Sequence, residues 1–242
     1  MKIKSLPRLV LGIGFVCACG TGASAADLVG RYATITLDGS LSDWQPSDTL
    51  YQSSEIAAGA PLNTTFTSVL VANDSDYLYV GLVTPAPTAI TDPWTYNLYL
   101  DTDMNSGTGF NSGWMSHGYD NLVQYGASGG SYSVFSFAGG DQSAWSWNWD
   151  SLINYAYSGS LIEWAIPLSA LGNPSQMRME FNVTGSGVTT ETWAYQYESG
   201  VSTYTVAVEP VPEPTTFALG GLGLLLLAGR FIPFRNHFDL RG

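Results

Sequence analysis

Between Tyr32 and Val208 no segment keeps apolar residues at the three- and four-residue spacing of an amphipathic helix for longer than a turn. Short runs instead alternate apolar and polar side chains, and clusters of Gly, Asn, Asp or Ser interrupt them. That texture restricts the chain to an all-β fold. The predicted strands are 32–37, 66–72, 77–83, 96–101, 121–125, 132–137, 153–157, 161–166, 177–183, 192–197 and 203–208. Asn73-Asp74-Ser75-Asp76 predicts a tight turn, because Asn and Asp tolerate left-handed backbone and satisfy local amides. Pro167 ahead of Leu168, Ala170 and Leu171, with Gly172 behind them, predicts one helical turn. Many short strands at frequent turns imply an antiparallel β-sandwich of jelly-roll or immunoglobulin-like type.

Both ends of the 242-residue chain are expected to lie outside that fold. Residues 1–25 have the parts of a signal peptide: Lys2, Lys4 and Arg8, an apolar stretch over 9–18, and the small-residue site Ala23-Ser24-Ala25. The chain's two cysteines, Cys17 and Cys19, fall in this leader, so the remainder has no disulfide and must rely on packing. At the other end, 210–242, Pro212-Glu213-Pro214 precedes an apolar run over 217–229, and Arg230, Arg235 and Arg241 follow. This tail resembles the PEP-CTERM sorting signal, with its hallmark motif on Pro212, Glu213 and Pro214 and its basic end beginning at Arg230. The resemblance implies an exosortase as partner and a short hydrophobic helix held briefly in the inner membrane. It also implies final placement at the surface, or in the extracellular matrix, of a Gram-negative-type bacterium. The run is shorter than the roughly 20 residues of a comfortable span, which suits a transient stop.

Charge narrows the partners of the intervening domain, 27–209. Of eight Lys and Arg residues only Arg31 and Arg178 lie within it, and of twenty acids only Glu213 and Asp239 lie beyond it. Two cations against eighteen acids leave a net charge of −16. Phosphate backbones are repelled by such a surface, so nucleic acid is excluded, while cations and neutral polymers remain.

Three stretches carry a second resemblance: Leu37-Asp38-Gly39-Ser40-Leu41-Ser42-Asp43-Trp44; Tyr77-Leu78-Tyr79-Val80-Gly81-Leu82 with Leu98 to Asp103; and Ile162-Glu163-Trp164-Ala165-Ile166-Pro167-Leu168. In that order they look like the family 9 carbohydrate-binding modules and their DOMON-like relatives. What the resemblance implies is a non-enzymatic sandwich, often with structural calcium, whose aromatic side chains grip carbohydrate. Extracellular polysaccharide is then the expected ligand. The alternative is a structural matrix or biofilm protein without a specific ligand, whose assembly depends on calcium.

Asp101, Asp103 and Asn105 place oxygen side chains at alternate positions, which is how one loop supplies several ligands to Ca²⁺. Ser106 and Ser112 stand where an EF-hand has its glycine and its bidentate Glu, and Asp120 is the nearest candidate for a further ligand from another loop. The other reading is a polar turn. Trp145, Trp147 and Trp149 alternate and share one face of an extended chain, either as a sugar-stacking stripe or as part of the core. Trp94 and Trp114 lie in loop-like surroundings and, with Asn111 and His117, form the candidate glycan site. Trp44 and Trp164 are expected in the core. Gly126-Ala127-Ser128-Gly129-Gly130 matches a nucleophile elbow by letter only, because it joins two β-like runs.

Overall fold

The computed structural model describes residues 27–52, 67–84, 96–113, 117–125, 131–183 and 202–211. Chain contacts divide it into a unit Met1–Ala207 and a unit Val208–Gly242; of the latter, residues 208–211 are described, and they are exposed.

The first unit is built from two sheets. One has the order β1 (Leu28–Val29), β12 (Ser202–Thr205), β11 (Gln176–Val183), β5 (Tyr96–Asp101), β6 (Asn121–Tyr125), β7 (Tyr132–Phe137), β8 (Trp147–Leu152). The other has the order β2 (Thr49–Gln52), β3 (Ser68–Asn73), β4 (Tyr77–Val83), β10 (Leu161–Pro167), β9 (Asn154–Ser158). Their facing sides meet in one core: Val69, Val71, Leu78, Val80, Leu82, Ile162 and Trp164 from one, and Leu98, Leu100, Val123, Val134, Met177 and Phe181 from the other. This is the sandwich that the alternation predicts.

Both outer faces are covered as well. The N-terminal segment packs Ile35 and Trp44 over Leu70, Ala72, Tyr79 and Ala165. The chain after β5 packs Phe110 and Tyr119 over Tyr99, Leu122 and Phe135. Central strands thus lose their alternation; every residue of β5 is buried. Buried polar contacts fasten the N-terminal layer. Glu163 Oε1 accepts from Trp44 Nε1 (2.8 Å), and Oε2 accepts from the amides of Gly39 (2.7 Å) and Asp38 (3.1 Å). Arg31 donates Nε and Nη2 to the two carboxylate oxygens of Asp48 (2.8 and 2.7 Å).

The expected wholly antiparallel jelly-roll or immunoglobulin-like sandwich with a short C-terminal hydrophobic helix is corrected. β1 pairs parallel to β12, and the helical segments among the described residues are single 3-10 turns at Leu41–Asp43, Pro46–Asp48 and Leu168–Leu171. Among the described residues no helix is long and apolar enough to cross a membrane. The inner-membrane anchoring, exosortase partnership and surface destination inferred from a transmembrane tail are therefore withdrawn. The residues that carried them, Pro212, Glu213, Pro214, Arg230 and the run 217–229, lie outside the described residues, as does the leader 1–25.

Strands β4, β5, β6 and β7 have the predicted bounds. The expected strand over 32–37 is not one: only Tyr32 makes an isolated bridge, to Asn73. The strand expected over 192–197 lies outside the described residues. The turn after Pro167 is present and ends on Gly172 at φ 78°, where a side chain would be strained.

Candidate metal centre

The site begins where β5 leaves the sheet. Side chains alternate along β5, so Leu98 and Leu100 enter the core while Tyr99 and Asp101 project to the outer face. Asp101 is fully buried, and Arg178, its register partner on β11, donates Nη1 to Oδ2 at 2.7 Å. The same carboxylate's Oδ1 accepts the Asn105 amide at 3.1 Å.

The following loop folds back on itself. Met104 adopts φ 60°, the left-handed conformation that reverses the chain. Asp103 Oδ1 accepts the Asn105 amide (2.8 Å), and Oδ2 accepts the Thr108 hydroxyl (2.8 Å). Gly109, at φ 70°, lets the chain cross the Tyr119 backbone, with which a Cβ would collide. Phe110 and Tyr119 then exchange backbone hydrogen bonds of 2.7 and 2.9 Å. This bridge returns the chain so that Asp120, one residue before β6, donates its amide to Leu100 O at 2.8 Å. Asp120 Oδ2 accepts from the amides of Thr102 (2.9 Å) and Asp103 (3.2 Å) and from the Thr102 hydroxyl (3.2 Å).

Asp101, Asp103 and Asp120 consequently converge, each offering a carboxylate oxygen, all within 4.8 Å of one another. Burial and the neighbouring charges of Asp103 and Asp101 raise the Asp120 carboxyl above its ordinary range, against the opposing pull of the Thr102 and Asp103 amides. Three like charges in so small a space repel, and a cation between them reverses that term. The donors are all oxygens, with neither thiolate nor imidazole among them. That set fits a hard cation such as Ca²⁺ or Mg²⁺ and not Zn²⁺ or Cu⁺.

Of the predicted metal ligands, Asp101 and Asp103 belong to the cluster. Asn105 stands beside it: its side-chain oxygen accepts the Gly107 amide at 3.0 Å and its backbone amide holds the two aspartates. Of the predicted glycan residues, Trp94 and Trp114 lie outside the described residues. Asn111 is occupied locally, accepting the Gly113 amide at 2.9 Å. His117 is part-buried, and burial with the nearby Arg178 charge pushes its imidazole below the ordinary range against the pull of Asp101. It thus neighbours the acidic cluster.

The aromatic surface that the described structure does show lies on the stripe that sequence left open between a sugar-stacking face and the core. Trp145 and Trp149 are 54% and 52% exposed, whereas Trp147 between them is partly buried against the outer-face cluster of Phe110 and Tyr119. Trp145 meets Phe110 edge-on at 5.1 Å and Trp147 at 5.7 Å, while Trp149 donates Nε1 to Ser133 Oγ at 3.2 Å. The only signal in sequence was Asp150, a charge that a buried strand would not carry. Trp44 and Trp164 are buried as expected.

Together these features define a two-sheet β domain whose outer face carries a three-aspartate cluster able to coordinate a cation. No known family model matches the chain, and no curated protein matches it as a relative.

Proposed function

We propose that this is a non-catalytic β-sandwich module whose β5–β6 loop is stabilised by one hard divalent cation, Ca²⁺, held by Asp101, Asp103 and Asp120. The convergence of three carboxylates within 4.8 Å carries this reading. The cation's role is structural. It neutralises mutual repulsion, fixes the loop that seals Phe110 and Tyr119 over the outer face, and thereby stiffens the sheet beneath. With three protein carboxylates and Arg178 already on Asp101, affinity falls in the weak range of about 10⁻⁴–10⁻³ M. At millimolar Ca²⁺, about one to ten times Kd, binding adds about 0.4–1.4 kcal/mol of stability, which raises the midpoint of thermal unfolding by about 1–6 °C for a domain of this size. The test is thermal unfolding in millimolar Ca²⁺ and in chelator, and coincident midpoints would remove the proposal.

A second reading, carbohydrate binding in a module similar to family 9, is favoured by a different observation: the half-exposed indoles Trp145 and Trp149 beside Ser133, Ser136 and Asp150. The Trp44–Glu163 bond, which joins two of the stretches that carry the resemblance, supports the same kinship. This reading expects Trp149→Ala to abolish retardation by a neutral polysaccharide in affinity electrophoresis without changing the unfolding midpoint. Unaltered mobility of both proteins on every polymer tried would dismiss it.

A further inference from the structure

Among the described residues the two sheets end on four edge strands, and three of these carry devices that block pairing with another strand. β1 is two residues long. β2 is bulged, with Leu50 extra between Thr49 and Tyr51, and its central residues are buried. β8 is bulged at Asp150, which also places a charge at the middle of the edge. β9 has none of these. Its ladder with β10 runs unbroken from Asn154↔Ala165 to Ser158↔Leu161. Its sequence, Asn-Tyr-Ala-Tyr-Ser, has neither charge nor proline, and Asn154, Tyr157 and Ser158 face solvent, Tyr157 at 49%.

We propose that β9 is a self-association edge, across which two copies of this chain pair antiparallel about a twofold axis at Ala156. In that register Ala156 lies opposite its own copy, Tyr155 opposite the copy's Tyr157, and Asn154 opposite the copy's Ser158. Every cross-strand pair is uncharged, and the two tyrosine pairs are the kind that stabilise antiparallel strands. Charge selects the second copy as the occupant. The domain's net charge of −16 keeps copies apart almost everywhere, yet no Asp, Glu, Lys, Arg or His lies between Ser151 and Ile162. The flanking acid on β10, Glu163, is buried under three donors. A cationic partner would be drawn to the acidic surface, not here.

The experiment is sedimentation velocity of the full chain over a wide concentration range in chelator, which keeps the acidic loop out of the result. A reversible monomer–dimer equilibrium is expected. Tyr157→Lys, changed twice by symmetry, should raise the dimer Kd by at least about tenfold with an unaltered unfolding midpoint. Asn154→Lys combined with Ser158→Asp should instead tighten the dimer and make it salt-sensitive, because each Lys then faces an Asp of the other copy. A monomer at every concentration overturns the proposal, as does a dimer indifferent to Tyr157→Lys. If Tyr157→Lys fails to fold, a double variant that dimerises like the parent overturns it. A dimer abolished by Asp120→Asn would belong to the acidic loop and overturns it equally.

Discussion

Glu163 has no solvent contact, and three donors from a segment more than a hundred residues away converge on it. Its removal would leave the Trp44 indole and the amides of Asp38 and Gly39 without their acceptor in the layer over β4 and β10. Unsatisfied buried donors cost about 1–3 kcal/mol each, partly relieved by water where the loop edge is open. Glu163→Ala should therefore lower stability by about 3–4 kcal/mol in urea unfolding, and a loss below about 1 kcal/mol would contradict the role given to this residue. Both partners were legible in sequence as members of recognisable stretches. That Glu163 would face Trp44 across the outer face was not, because spacing along a chain does not say which loop covers which sheet. Asp101 is similar. Its alternation with Asp103 and Asn105 suggested a ligand set, but the third carboxylate, Asp120, arrives through the Phe110–Tyr119 bridge, which no local pattern announces.

At the scale of the element, β8 explains which of the two readings of the tryptophan stripe holds. Strict alternation places Trp147, Trp149, Ser151 and Ile153 on one face, and Ile153 is in the core. The bulge changes the phase: Trp147 and Trp149 oppose Phe137 and Phe135, whereas Ser151 opposes Val134, whose side chain is in the core. One extra residue thus sends the indoles outward and Ile153 inward. Deleting Asp150 should join the two halves of the ladder in the register they already have. We expect stability within about 1 kcal/mol of the parent, with increased edge-to-edge association once the guard is gone. Differential scanning calorimetry with light scattering checks both, and a loss of several kcal/mol would mean that the bulge is required for the fold. Strands β4 to β7 were read correctly because each is a complete alternating or apolar run between turn residues. β1 is too short to leave a pattern, and the bulges in β2 and β8 break theirs.

Across the whole molecule, packing and buried polar contacts hold a domain that contains no cysteine beyond residue 25. The core lies between the sheets, and a loop seals each outer face. Both arginines of the domain pair with buried aspartates, Arg31 with Asp48 and Arg178 with Asp101, and its sixteen further acids share no other arginine or lysine within 27–209. A chain with that imbalance gains from an external cation where the carboxylates are closest, at Asp101, Asp103 and Asp120. Isothermal titration of the full chain with Ca²⁺, beside Asp120→Asn, tests this directly. The substitution keeps an oxygen for the Thr102 and Asp103 amides and removes one ligand charge. We expect one Ca²⁺ per chain in the parent, with Kd of about 10⁻⁴–10⁻³ M, and no measurable binding in the variant. Equal binding by both proteins, or by neither, would contradict a cation centre at these three aspartates.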